Sequence, residues 1–206
     1  MMNDLGEYLD YLYPNPKCEL VYHNDYELLI AIVLSAQTTD ARVNTVTPIL
    51  FSRFDNLEKL KNANVNDVEL ILKPIGSFRK KARYVIDIAR ILVDKYNCKV
   101  PCDGNELINF PGVGRKTVNV FLSEFYNFPA IGVDTHVERV SKRLKLAKKN
   151  DSVLVIEKKL MKKFPRNEWG KRHLQMVLFG RYHCKAIKPE CDHCKIRNLC
   201  IEKKKI

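Results

Sequence analysis

Four of the seven cysteines crowd into one stretch, Cys184-x6-Cys191-x2-Cys194-x5-Cys200. Thiolates are soft ligands, and four of them around a central CxxC form a tetradentate set suited to zinc or to an iron–sulfur cluster. Spacing does not choose between the two, because structural zinc also accepts four cysteines. Such a set points away from a disulfide framework and toward a reducing compartment. His193 lies inside the CxxC, but the set is complete without it. Cys18, Cys98 and Cys102 have no partner ligands nearby in sequence and are read as ordinary thiols.

A second chemistry lies in Phe110-Pro-Gly-Val-Gly-Arg-Lys-Thr117. Pro111 and Gly112 set a tight turn, and Gly114 lets the backbone approach something closely. A helix is predicted to start near Arg115. Its first N–H groups, with the amides of Gly112, Val113 and Gly114, make an anion site suited to a DNA phosphate. Lys116 falls in the first turn of that helix. The helix dipole and the Arg115 cation both disfavour a protonated amine there. Lys116 therefore has two readings: a phosphate contact, or an activated nucleophile able to form a Schiff base. A carboxylate follows in Gly132-Val-Asp-Thr-His-Val-Glu138. Either Asp134 or Thr135 can cap the next helix, and Thr135 with Glu138 fits a capping box. If Thr135 takes the cap, Asp134 is left for chemistry. His136 is read as structural.

The elements that must position these groups are helical, and strand signals are almost absent. Leu5, Tyr8, Leu9 and Leu12 form one stripe, closed by Pro14 and Pro16. Asn24 or Asp25 caps a buried helix through Leu28 and Val33. Thr39 or Asp40 caps another, with Val43, Val46, Ile49 and Leu50 inside. Short helices are expected at 57–60 and 68–72, a long one over 80–96, and others at 116–126, 136–146, 153–164 and 168–182. About ten helices with short connections describe an all-α protein. The hydrophobic fraction is 46% and the net charge +12. That combination supports a real core and a polyanionic partner. No signal peptide is read at the start, and the longest apolar run, 28–36, is too short to span a bilayer. A cytoplasmic, nucleoid-associated protein without a membrane partner is expected.

Taken together, Leu34-Ser-Ala-Gln-Thr-Thr-Asp40, the 110–117 hairpin, Val133-Asp-Thr-His136 and the cysteine spacing resemble the endonuclease III family, in order and over nearly the whole chain. The resemblance implies a helix–hairpin–helix DNA glycosylase fold with a cleft between two helical domains. A six-helix barrel would run over 25–131, with its helix–hairpin–helix at about 105–126. Residues 1–24 and 132–206 would form an iron–sulfur domain. The resemblance also implies that Cys184, Cys191, Cys194 and Cys200 hold a [4Fe–4S] cluster.

The implied activity is base-excision repair: a bifunctional N-glycosylase for oxidised or ring-saturated pyrimidines, with lyase activity at abasic sites. Lys116 would be the nucleophile and Asp134 its carboxylate partner. The partner would be damaged double-stranded DNA, bound by a monomer. Adenine-specific relatives lack the lysine and carry a glutamate early in the barrel, whereas here position 116 is lysine and Ile32–Gln37 has no glutamate. Gln37, Gly112, Val113, Gly114, Arg115, Lys185 and Lys188 are the expected DNA contacts. Gln37 matches the position that fills the gap left by a flipped base. A second wedge in relatives is a leucine immediately after the equivalent of Gly76. Here that place holds Ser77, followed by Phe78, so either Phe78 takes the role or it packs in the core and the second wedge is weak.

Overall fold

Short polar residues stand in front of most helices, and in the structure they do what their chemistry allows. In this computed structural model, which describes residues 4–202, Asp4, Asn24, Thr39, Asn56, Asn64, Asp103, Asp134 and Ser152 each accept a backbone N–H of the helix they precede. Each such cap satisfies a donor that the helix cannot, and is worth about 1 kcal/mol. The resulting elements are all helical among the described residues.

The chain divides into two compact units, Cys18–Tyr126 and Met1–Lys17 with Asn127–Ile206. In the first, α2 (Asp25–Leu34) is apolar on every side, and Leu28 to Leu34 are all buried. A helix of that composition needs neighbours all round. It packs on α7 (Phe78–Tyr96) and α9 (Arg115–Tyr126), while α5 (Leu57–Lys61) and α6 (Val65–Leu72) cover α7. α7 is amphipathic and turns Ala82, Val85, Ile86, Ile88, Ala89 and Leu92 inward.

The second unit is built on α1 (Leu5–Leu12), α10 (Thr135–Arg143), α11 (Val153–Lys163) and α12 (Trp169–Leu178). Leu5, Tyr8, Leu9, Val137, Val140, Ile156, Leu160, Met176 and Phe179 form its core. A polar clasp ties α1 to α12. Arg172 and Gln175, both buried, reach Asp10 at 3.0 Å, and Lys171 reaches it at 2.6 Å. Burial favours a neutral Asp10, yet these three donors hold its carboxyl well below the usual carboxylate range.

Several boundaries differ from the sequence expectation for local reasons. The helix expected through 43–50 is two: α3 (Asp40–Val43) and α4 (Thr47–Arg53). Pro48 lacks the N–H that a continuous helix would need and sits instead in the first turn of α4. That break rotates Ile49 outward, and it is 56% exposed rather than buried. The last long helix ends at Leu178 in one π-helical turn, Phe179–His183. No described helix is long and apolar enough to cross a membrane.

Candidate active site

The hairpin begins with α8 (Gly104–Leu107), capped by Asp103. The N–H groups of Ile108, Asn109 and Phe110 bond back to carbonyls of that short helix, and Val113 N–H closes a turn on Phe110 O at 3.1 Å. Proline followed by a positive-φ glycine is the type II pattern, and Gly112 has φ 76°. Sterics fix the second requirement. A Cβ on Gly112 would lie 2.6 Å from Tyr84 Cδ2 and 3.0 Å from Val33 Cγ1, so the turn is seated directly on α7 and α2. Gly114 is different, since a Cβ there would meet nothing within 4 Å. Nothing inside the chain demands a glycine at 114. Its carbonyl accepts the first bond of α9, from Val118 N–H, and it brings no side chain with which to cap.

Lys116 is half-buried in the first turn of α9. The Cys18 thiol, within its electrostatic reach, is pushed up to about 12 by burial and by the Glu124 carboxylate, with Lys116 acting the other way. Glu124 is held by Tyr22 Oη at 2.9 Å. Cys18 therefore belongs to the surroundings of Lys116, although the sequence reading set it aside.

Asp134 is the N-cap of α10. Its Oδ1 accepts from both His136 N–H and Val137 N–H at 2.9 Å. Thr135 does not cap, and Glu138 pairs with Lys142 instead of closing a capping box. An ionised carboxylate is the stronger acceptor at a helix N-terminus. Both capping bonds end on one oxygen, which leaves Oδ2 outside the cap.

One helical turn apart on α10, Arg139 and Arg143 grip the loop that begins the cysteine set. Arg139 donates to Gly180 O at 2.6 Å and Cys184 O at 3.1 Å. Arg143 donates to Lys185 O at 2.7 Å and approaches Cys184 Sγ at 3.4 Å. Both were legible only as an i, i+4 pair downstream of Asp134. All four cysteines are part-buried. Burial raises the Cys194 thiol, and Cys184, Cys200 and Cys191 raise it further, so the four share one neighbourhood. Among the described residues no three His, Cys, Asp or Glu side chains converge on a single-ion site; a cluster, in which each iron takes one thiolate, needs its four sulfurs farther apart than one ion does. In the loop between Cys184 and Cys191, Lys185 pairs with Glu190 at 2.8 Å, whereas Lys188 is exposed at φ 50°.

Gln37 and Ser77 both carry side chains at positive φ, 55° and 57°, and both are exposed. Phe78 is half-buried against the core of its unit, with the Arg79 guanidinium 5.2 Å from its ring.

Residues 30–166 match the HhH-GPD superfamily of base excision DNA repair proteins. Endonuclease III of Bacillus subtilis (strain 168) is 45% identical over 94% of this chain and 89% of its own length. This chain belongs to the endonuclease III family. Endonuclease III of Escherichia coli (strain K12) is 40% identical over 94% of this chain and 91% of its own. Among solved structures, a trapped endonuclease III–DNA covalent intermediate and a non-covalent endonuclease III–DNA complex each superpose with a TM-score of 0.92 at 48% identity, covering 95% of this chain and 92% of theirs. The superfamily match includes Gln37, Ser77, the hairpin, Lys116 and Asp134, and ends before the four cysteines.

Proposed function

We propose that the chain is a bifunctional DNA N-glycosylase and abasic-site lyase of base-excision repair, acting on oxidised or ring-saturated pyrimidines in duplex DNA, with Lys116 as its nucleophile. The observation that carries the reading is the likeness, at 48% identity and TM-score 0.92, to a family member trapped in a covalent intermediate with DNA. A covalent adduct that leads to strand cleavage calls for an amine, and Lys116 stands in the first turn of the helix that follows the Pro-Gly-Val-Gly turn.

The residues support each step. The damaged nucleotide leaves the stack, because its C1′ is unreachable inside a duplex. The neutral Lys116 amine attacks C1′ and the N-glycosidic bond breaks, its electron pair leaving with the base. Oδ2 of Asp134, not engaged in the cap, is the oxygen that receives a proton from the attacking amine or stabilises positive charge at the sugar. Ring opening gives a Schiff base between Lys116 and C1′. Loss of a C2′ proton then expels the 3′ oxygen, which nicks the strand 3′ to the abasic site.

The four cysteines fit an iron–sulfur cluster by the chemistry of their donors: four soft sulfurs in one neighbourhood, with the Arg143 guanidinium against one of them. We assign them to a [4Fe–4S] cluster whose contribution is to hold the 184–200 segment in shape. Iron and acid-labile sulfide content of the purified protein separates this from zinc. We assign the barrel with its helix–hairpin–helix to residues 25–131, most of which lie in the Cys18–Tyr126 unit, Gly112, Val113, Gly114, Arg115 and Lys188 to DNA phosphates, and Gln37 to the gap. Phe78 packs inward and Ser77 offers little apolar area, so the second wedge is weak. Borohydride trapping on abasic duplex DNA tests the central assignment. A stable adduct that disappears in Lys116→Gln is expected, and an undiminished adduct in that variant would sink it.

A further inference from the structure

Lys81 is a lysine where a lysine is costly. It sits in the first turn of α7, is 5% exposed, and has no carboxylate partner among the described residues. Burial alone pulls its pKa below that of an ordinary lysine. A buried ammonium without a counter-charge is unfavourable, and a methionine would fill the same space without that cost.

What the charge does is local. Nζ donates to Ala36 O at 2.8 Å and to Thr38 Oγ1 at 2.9 Å. These acceptors belong to the residues on either side of Gln37, whose φ of 55° is a conformation that non-glycine residues rarely keep without outside support. The turn's own bonds are few and mostly long: Ala36 N–H to Val33 O at 3.3 Å, Thr38 N–H to Ser35 O at 3.0 Å and Thr38 Oγ1 to Ala36 O at 3.4 Å. The other end of Lys81 is anchored as well, since its backbone N–H bonds Ser77 O at 3.1 Å. One residue thus joins two left-handed turns, one through its main chain and one through its ammonium.

We propose that Lys81 is a positioning residue for lesion capture: its ammonium clamps the Ala36–Thr38 turn, so that Gln37 is already aimed at the gap when a nucleotide is flipped. This rests on the reading of Gln37 as the residue that fills the gap. A pre-set side chain avoids the ordering cost at binding, and only damaged DNA, which offers a gap, benefits. Lys81 touches neither sugar nor base and is not assigned to the chemistry.

The test uses full-length protein and two duplexes, one with a tetrahydrofuran abasic analogue and one undamaged. 2-Aminopurine opposite the analogue reports unstacking of the orphaned base. Lys81→Met is expected to bind the analogue duplex roughly tenfold more weakly, with undamaged-duplex affinity changed less than about twofold. It should also lose most of the 2-aminopurine signal. Lys81→Arg should restore most of both. In a Gln37→Ala background, Lys81→Met should cost almost nothing more, because both changes remove the same contribution. Thr38→Val deletes one acceptor at a half-buried position and should give a smaller loss on the analogue duplex alone. It decides the matter if Lys81→Met does not fold. The inference is overturned if Gln37→Ala weakens analogue binding while Lys81→Met and Thr38→Val do not, or if the Lys81 loss adds in full to the Gln37 loss. Wild-type binding by Gln37→Ala would instead remove the gap-filling role itself.

Discussion

The starts of α9 and α10 carry the two residues assigned to chemistry, and they are built in opposite ways. α10 is closed by its own chain: Asp134 spends Oδ1 on His136 N–H and Val137 N–H. α9 is preceded by Gly114, which has no side chain to offer and open space where one would stand. The first start satisfies its donors internally and keeps one carboxylate oxygen in reserve. The second has no side-chain acceptor at its cap and follows a turn pinned from behind by Tyr84 and Val33. The difference teaches that the same helix terminus can be a finished structural joint or a socket for an outside anion, and that the residue at the cap decides which.

The sharpest way to break this comparison is at Lys116. Lys116→Gln is expected to retain the wild-type melting temperature and duplex binding, while nicking of abasic DNA falls to background. Near-wild-type nicking would mean that the open start only holds phosphate. At the closed start, Asp134→Asn should cap about as well as Asp, so the melting temperature should hold. Base excision should drop roughly a hundredfold or more, as expected for loss of a proton-transfer group. Asp134→Ala should lose about 1 kcal/mol of stability in addition. Equal melting losses for Asn and Ala would show that the carboxylate is only a cap.

The two glycines of the hairpin should separate next. Gly112→Ala forces a Cβ against Tyr84 at positive φ and should cost about 2 kcal/mol or more in denaturant unfolding. Gly114→Ala should cost only about 0.5 kcal/mol in unfolding, the difference between glycine and alanine as a cap, and should weaken duplex binding. If Gly114→Ala binds normally, the open space in front of α9 does not receive DNA. The smallest effect is expected at the cysteine loop. Lys188→Ala should lower the salt slope of binding by about one unit. Lys185→Ala should lower it less, because Glu190 already engages that ammonium at 2.8 Å.

Much of this was legible in the sequence, and the limits are physical. Local chemistry was readable wherever a residue type leaves few options: the Pro-Gly turn, the start of α9, the apolar α2, and the short polar caps. Asp134 against Thr135 was not decidable, since either side chain can cap and only the backbone direction chooses. Ile49 was misplaced because Pro48 breaks the 3.6-residue period that put it inside. Lys81 was invisible for another reason. A lysine amid Arg79, Lys80 and Arg83 reads as a solvated face, and only the fold reveals that its ammonium lies under a turn 45 residues away.

The clasp between Asp10 and Arg172 has a consequence for the order of events during translation. Cys18–Tyr126 is one uninterrupted piece and can condense as soon as it leaves the ribosome. The unit containing α1 cannot. Leu5, Tyr8 and Leu9 emerge first, yet the helix that covers them and supplies Arg172 and Gln175 is among the last to be made. At synthesis rates of about 5–20 residues per second, that apolar stripe waits on the order of ten seconds for its cover. α1 thus finds its place only once α12 has been made, so the local helix forms long before the contacts that hold it.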